Sequence, residues 1–136
     1  MRDVFALQGP SNSGKSTTLV SLYNAVCSKY PAATVQRVHN GTADLAVIIS
    51  GVNGLVVGIE SQGDPGSRLQ STLSTFAAAN CDVIFCACRT RGMTVGWVSA
   101  LSPQYNIHFV QQKRGSNNYA TVNSTTAATL MQRAGI

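Results

Sequence analysis

The residues best suited to chemistry stand in the octet Gly9-Pro10-Ser11-Asn12-Ser13-Gly14-Lys15-Ser16. Its spacing, G-x-x-x-x-G-K-[ST], is that of a loop that binds phosphate. The glycines let consecutive backbone N–H groups converge on one anion, and a following helix adds its partial positive charge. Lys15 is expected to reach the β- and γ-phosphates of a nucleotide, and Ser16 to bind Mg²⁺. The predicted phosphate-binding residues are Gly9, Ser11, Asn12, Ser13, Gly14, Lys15, Ser16 and Thr17.

Two elements must position this loop. A short strand-like run at 3–8 precedes it. Apolar residues at i, i+3, i+4 and i+7 predict a helix from Ser16 to Lys29 after it, and Pro31 stops that helix. A strand, a glycine-bounded loop and a helix in this order are the context that the motif requires.

Beyond Pro31 the periodicity changes from helical to strand-like. Runs at 33–39, 43–50 and 55–61 are separated by turn sequences, so a β-meander is predicted over about 33–61. The remaining predicted elements are a helix from Asp64-Pro65 to Asn80, a strand at 83–88, a helix at 94–101, a strand at 105–111 and a helix at 119–133. This alternation predicts a three-layer α/β/α fold, with a mainly parallel sheet between helices on both faces.

A phosphate site with Mg²⁺ usually needs a carboxylate, and the chain has only five acidic residues. Asp3 and Asp82 open their strands, whereas ligands bind at the carboxyl ends of strands in an open parallel sheet. Asp44 begins a meander strand whose direction the sequence leaves open. Elimination leaves Glu60, which ends an apolar strand, and Asp64. Both are predicted to hold Mg²⁺ or its water, although Asp64 also suits the N-cap of the next helix.

The tetrapeptide Glu60-Ser61-Gln62-Gly63 supplies further candidates. A carboxylate that ends an apolar strand needs a partner, which favours a functional role for Glu60. The backbone N–H of Gly63 is a predicted contact for a γ-phosphate. Gln62 either orients an attacking water or is an ordinary loop residue.

Three arginines are candidates for contacting phosphate. Arg89 and Arg91 follow the strand at 83–88, whose carboxyl end should lie on the same edge of the sheet as the glycine-rich loop. One or both are predicted to stabilise charge on the transferring phosphoryl group, and the alternative is a solvated loop. Arg68, one helical turn beyond Asp64, is a secondary candidate.

Composition narrows the class of protein. With 136 residues, a single domain over 1–136 is expected, and 44% apolar against 11% charged residues predicts extensive burial. The net charge of +5 suits a nucleoside triphosphate, and because the basic residues form no run, nucleic acid stays an open, unsignalled partner. The four cysteines form no C-x-x-C pair, which argues against zinc and disulfides and favours a reducing cytoplasm. No signal peptide, membrane span or membrane partner is expected.

Taken together, these motifs resemble the P-loop NTPase superfamily. The match is strong over 3–20 and partial at 55–64. The resemblance implies a nucleoside triphosphate with Mg²⁺, with Lys15 on the phosphates and Ser16 on the metal. No N-K-x-D follows a strand, because the last strand runs into Gln111-Gln112-Lys113-Arg114. This departure argues against a standard GTPase and favours ATP. A second departure is the glutamate, rather than the usual aspartate, at the end of the metal-side strand.

The expected function is ATP binding and hydrolysis with Mg²⁺, with Lys15, Glu60, Arg89 and Arg91 as the catalytic residues. One alternative is an ATP-dependent phosphotransferase for a nucleotide or small molecule, in which Glu60 or Asp64 is the base. Another is a non-enzymatic nucleotide-dependent switch or assembly protein. The low charge and high apolar share leave room for a subunit interface, so a homo-oligomer is also open.

Overall fold

The structure, a computed structural model, describes residues 2–9, 14–38, 45–63, 66, 68–112 and 119–136, with side chains from residue 124 onward in the last range. Within these residues lie six strands and four helices. In chain order they are β1 (Asp3–Gln8), α1 (Lys15–Lys29), β2 (Thr34–Arg37), β3 (Ala46–Val52), β4 (Leu55–Glu60), α2 (Leu69–Ala78), β5 (Val83–Cys88), α3 (Met93–Ser99), β6 (Asn106–Gln111) and α4 (Tyr119–Ala134).

The strands form a mixed sheet in the order β2-β3-β4-β5-β1-β6. Its parallel part consists of β4, β5, β1 and β6, and the antiparallel pairs β2–β3 and β3–β4 extend it beyond β4. The predicted meander is therefore observed as β2, β3 and β4. Because β5 pairs with both β4 and β1, Ile59, Phe85 and Phe5 lie at one level across three neighbouring strands.

Helices cover both faces of the sheet, and each face has its own apolar core. Helices α1 and α4 pack on the face that we call the α1–α4 face, where the buried residues include Phe5, Leu19, Leu22, Ile59, Phe85, Ala87 and Leu130. Helices α2 and α3 pack on the α2–α3 face, where the buried residues include Val4, Leu69, Phe76, Cys86, Cys88 and Val98. The predicted α/β class is confirmed.

The helix after the meander begins later than predicted. Its expected start was Asp64-Pro65, whereas α2 begins at Leu69 with Arg68 as its N-cap residue. Pro-Gly is typical of a turn, and Gly66 lies in one, so the local turn preference wins over the helix-start signal. Asp64 and Pro65 lie outside the described residues.

The strand β5 is buried along its whole length because helices cover both of its faces. Cys86 and Cys88 are core residues, and the cysteines Cys27, Cys81, Cys86 and Cys88 are free thiols. Among the helices that the structure describes, none combines the length and the hydropathy that crossing a bilayer requires.

Candidate functional site

The carboxyl ends of the four parallel strands meet at one edge of the sheet, which we call the carboxyl edge. The residues that end these strands are Gln8, Glu60, Cys88 and Gln111. The direction of β3, which the sequence left open, is antiparallel to β4, so its first residue Ala46 pairs with Glu60 at this same edge. Asp44 precedes β3 but lies outside the described residues. Open parallel sheets bind ligands at this edge.

Lys15 is the first residue of α1 and is buried, with 7% of its surface exposed. Its Nζ donates a hydrogen bond to the carbonyl oxygen of Gly9. Gly14, directly before it, has φ 90°, a left-handed conformation that glycine adopts without steric cost. The first turn of α1 contains no acidic residue, so a buried ammonium group stands at the positive end of the helix dipole. An anion would stabilise this concentration of positive charge.

The loop before Lys15 is anchored to the sheet through Gly9. The Gly9 N–H donates to the Cys88 carbonyl oxygen at 3.2 Å. This amide is therefore already hydrogen-bonded to the sheet. Gly9 contributes its carbonyl oxygen to the site, where it accepts the hydrogen bond from Lys15. Ser16 and Thr17 are exposed on the first turn of α1. The other predicted phosphate-binding residues, Ser11, Asn12 and Ser13, lie outside the described residues.

Glu60 is fully buried and is paired with Arg68. Arg68 Nη2 donates to Glu60 Oε2 at 2.9 Å, and Arg68 Nε lies 2.9 Å from Oε1. The Gln62 amide also donates to Oε2, at 3.2 Å. The Nε–Oε1 contact is an ion pair without hydrogen-bond alignment, so both buried atoms lack a hydrogen-bond partner among the described residues.

Glu60 and Lys15 approach the end of β5 from different elements. Ile59 packs on the α1–α4 face, so alternation directs the Glu60 side chain to the α2–α3 face. There, burial, the Cys88 thiol and the Glu60 carboxylate all raise the pKa of Cys86 well above its usual value. At Cys88, burial raises the thiol pKa to about 11, while Lys15 acts to lower it. The two thiols are about 7 Å apart along one face of the strand, so the carboxylate and the ammonium lie near the same strand end.

The segment after Glu60 turns over the end of β5. A Cβ atom on Gly63 would stand 2.5 Å from the carbonyl carbon of Ala87, so packing alone requires glycine at this position. Ser61 fixes the start of the turn, since its Oγ accepts a hydrogen bond from the Leu45 amide at 2.8 Å. The turn thus lies at the carboxyl edge. The contact of the Gly63 N–H with a γ-phosphate stays a prediction.

Arg89 and Arg91 lie on the loop after β5, at the carboxyl edge. Arg89 is half-buried, and its amide donates to Thr94 Oγ1 at 2.9 Å, whereas Arg91 is exposed. Gln8 Nε2 donates to the Thr90 carbonyl oxygen at 3.4 Å, which ties this loop to the end of β1. The predicted common edge is confirmed by the parallel pairing of β1 and β5. The contact of either arginine with phosphate stays a prediction.

The oxygen ligands predicted for Mg²⁺ come from Ser16, Glu60 and Asp64. Hydroxyl and carboxylate oxygens are the donors that Mg²⁺ prefers, and the buried Oε1 of Glu60 is an acceptor without a hydrogen bond among the described residues. Two strand spacings, about 10 Å, separate the backbones at the ends of β4 and β1. The binding of Mg²⁺ by Ser16 and Glu60 stays a prediction. Asp64 lies outside the described residues.

Arg68 is the residue whose importance the sequence reasoning underestimated. Its side chain provides the ion pair of Glu60, and its backbone N–H donates to Gln62 Oε1 at 3.5 Å. One signal was available: a buried carboxylate needs a cation, and Arg68 is the first basic residue after Glu60 in the chain.

Comparison with protein-family models, with curated proteins and with solved structures finds no match for the chain. The interpretation of the site therefore depends on its own geometry and chemistry.

Proposed function

We propose that the chain has a P-loop NTPase fold, binds ATP with Mg²⁺ and hydrolyses it. The observation that carries the proposal is Lys15, a buried ammonium group at the positive end of α1, directly after the glycine-bounded loop that follows β1. A group in this setting favours a polyanion. The octet spacing specifies phosphate, and the lack of an N-K-x-D sequence favours ATP over GTP.

Each residue of the carboxyl edge has a role in this proposal. Lys15 exchanges the Gly9 carbonyl for the β- and γ-phosphate oxygens. Ser16 and Glu60 hold Mg²⁺ and its water, and Mg²⁺ neutralises charge on those phosphate oxygens. Arg89 or Arg91 stabilises the charge that develops on the transferring group.

The position of Glu60 at the end of β4 supports hydrolysis as the reaction. Its carboxylate orients a water whose oxygen forms a bond to the γ-phosphorus, while the bond from that phosphorus to the β–γ bridging oxygen breaks. The proton of the water passes to the carboxylate and then to solvent, which leaves ADP and inorganic phosphate. The burial of Glu60 supports this role because bulk water does not compete for the carboxylate.

Replacing Lys15 tests the binding site. In Lys15→Ala, the affinity for ATP with Mg²⁺, measured by calorimetry, should fall at least about 100-fold because charge-assisted hydrogen bonds to two phosphates are lost. The matched control is Lys29→Ala at the other end of α1, where Nζ donates to the Ile136 carbonyl oxygen at 2.7 Å. The control should bind ATP like the wild type. Unchanged affinity in Lys15→Ala would contradict the proposal.

The product of the reaction tests hydrolysis against the alternatives. Under the proposal, ATP consumption and release of inorganic phosphate should be equal in the purified protein. A phosphorylated acceptor in place of free phosphate would instead identify a phosphotransferase. Tight binding without any turnover would identify a nucleotide-dependent switch.

A further inference from the structure

The Glu60–Arg68 pair is buried yet incompletely hydrogen-bonded. Glu60 is 0% exposed and the Arg68 side chain only 17%. Oε1 of the carboxylate and Nε of the guanidinium approach to 2.9 Å, but neither has a hydrogen-bond partner among the described residues. An arginine and a carboxylate commonly form two parallel hydrogen bonds, and here only the Nη2–Oε2 contact is one, so the pair is weaker than a full fork and is open to exchange.

The two partners differ in their freedom to move. Glu60 has a short side chain on a strand that pairs on both sides, with Ala46 opposite it in β3. Arg68 is the N-cap residue of α2, and it contacts the carboxylate through the end of its long side chain. Rotation about side-chain bonds can therefore redirect the guanidinium without disturbing the sheet.

A terminal phosphate is an alternative partner for this guanidinium. The planar fork of arginine donates parallel hydrogen bonds to a terminal phosphate, which offers three acceptor oxygens. Lys15 lies near the end of the same strand, because its Nζ donates to the Gly9 carbonyl oxygen and the Gly9 amide donates to the Cys88 carbonyl oxygen. A phosphate bound by Lys15 at the carboxyl edge would therefore approach the pair.

We propose that Arg68 exchanges partners, leaving the Glu60 carboxylate for the γ-phosphate of bound ATP and thereby releasing Glu60 to orient the attacking water. This inference rests on the proposed ATP site. It makes Arg68 a sensor of the third phosphate, because ADP offers no γ-phosphate and leaves the Glu60–Arg68 pair in place.

The test compares affinities for ADP and for the β,γ-imido analogue of ATP, both with Mg²⁺. In Arg68→Ala the affinity for the analogue should fall about 10- to 100-fold, and the affinity for ADP should stay unchanged. Arg68→Lys, which keeps the charge but loses the fork, should recover part of the loss.

Two control experiments separate misfolding of the variant, and failure of the proposed function, from failure of the exchange. If Arg68→Ala alone does not fold because Glu60 keeps an unpaired charge, the double variant Glu60→Gln/Arg68→Ala supplies the same comparison. If Arg68→Ala leaves both affinities unchanged, or lowers both by the same factor, the exchange is overturned while the proposed ATP site is not. A wild-type protein that binds neither nucleotide would overturn the proposed function itself.

Discussion

The two edges of the sheet both carry charged residues, but they accommodate them differently. At the amino edge, Asp82 Oδ2 accepts a hydrogen bond from the Val56 amide at 2.8 Å. Asp3 lies 3.0 Å from Nε2 of His108, with 26% and 35% of the two side chains exposed. These carboxylates have partners and contact with water, which is how surface charges are ordinarily stabilised.

At the carboxyl edge the charges are buried. Lys15 is held by the backbone carbonyl of Gly9, and Glu60 is held by Arg68 with one oxygen lacking a hydrogen bond among the described residues. The difference between the two edges shows that the presence of a charged residue does not by itself identify the candidate site. Burial does, because a buried charge is costly to remove from water and needs a partner or a function.

The largest expected effect on stability compares the carboxylates of the two edges. Glu60→Ala should lower the free energy of unfolding by about 3–5 kcal/mol, because it leaves the largely buried Arg68 cation unpaired. Asp3→Ala should lower it by no more than about 1 kcal/mol, because that pair is partly exposed. Urea unfolding at pH 7 measures both values.

A double variant sharpens this comparison. Replacing both partners, as in Glu60→Met/Arg68→Met, should return the free energy of unfolding to within about 1 kcal/mol of the wild type or above it. If Glu60→Ala and Asp3→Ala were equally mild, the contrast between the two edges would be wrong.

A smaller effect tests the packing of the turn over β5. Gly63→Ala should lower the free energy of unfolding by about 1–3 kcal/mol, because its Cβ would stand 2.5 Å from the Ala87 backbone. Gly66→Ala is the matched control three residues later, where a Cβ meets nothing within 4 Å. The control should change stability by less than about 0.5 kcal/mol. Equal effects in a denaturation assay would show that the turn does not pack on β5 as described.

An effect that appears only at high pH concerns the thiols at the two ends of β5. Burial raises the pKa of Cys81 at the amino edge and of Cys88 at the carboxyl edge to about 11, against an ordinary value of 9.0. The unfolded chain then loses these protons at lower pH than the folded one. Their contribution to stability is therefore complete below pH 9 and is lost as the pH rises towards 11.

Substitutions distinguish the contributions of Cys81 and Cys88 to this pH dependence. Cys81→Ala and Cys88→Ala should each reduce the loss of stability between pH 9 and pH 11, as urea unfolding at several pH values would show. Lys15→Met should raise the pKa of Cys88 further, because the ammonium acts to lower it, and should leave Cys81 unaffected. An equal response of both thiols to Lys15→Met would place Lys15 elsewhere than near Cys88.

Local features were predictable because their causes are local. The octet places Gly14 directly before α1, and Gly14 has the left-handed conformation that only glycine adopts readily. Alternating and continuous apolar runs predict the meander and the buried β5. The chain has few acidic residues, and elimination among them predicts Glu60 as the acid of the site. Asp3 and Asp82 open parallel strands and therefore lie at the amino edge.

Other features depend on residues that are distant in the chain. The insertion of β5 between β4 and β1 is a matter of strand order, which no periodicity reports. The predicted start of α2 was wrong because two local patterns overlap there. Asp64-Pro65 is a helix-start pattern, whereas Pro65-Gly66 is typical of a turn. The close approach of Gly63 to Ala87 was not foreseen, because a glycine in a loop has the same sequence signal whether or not a backbone lies against it.

By itself the sequence therefore determined the α/β class, the G-x-x-x-x-G-K-[ST] motif and the acid that ends β4 at the carboxyl edge of the sheet. Only the tertiary structure decided that Glu60 is fully buried, that Arg68 neutralises it and that Lys15 lies near the end of the same strand. The physical reason is that backbone preferences act over a few residues. The environment of a charge depends instead on which elements the sheet brings together.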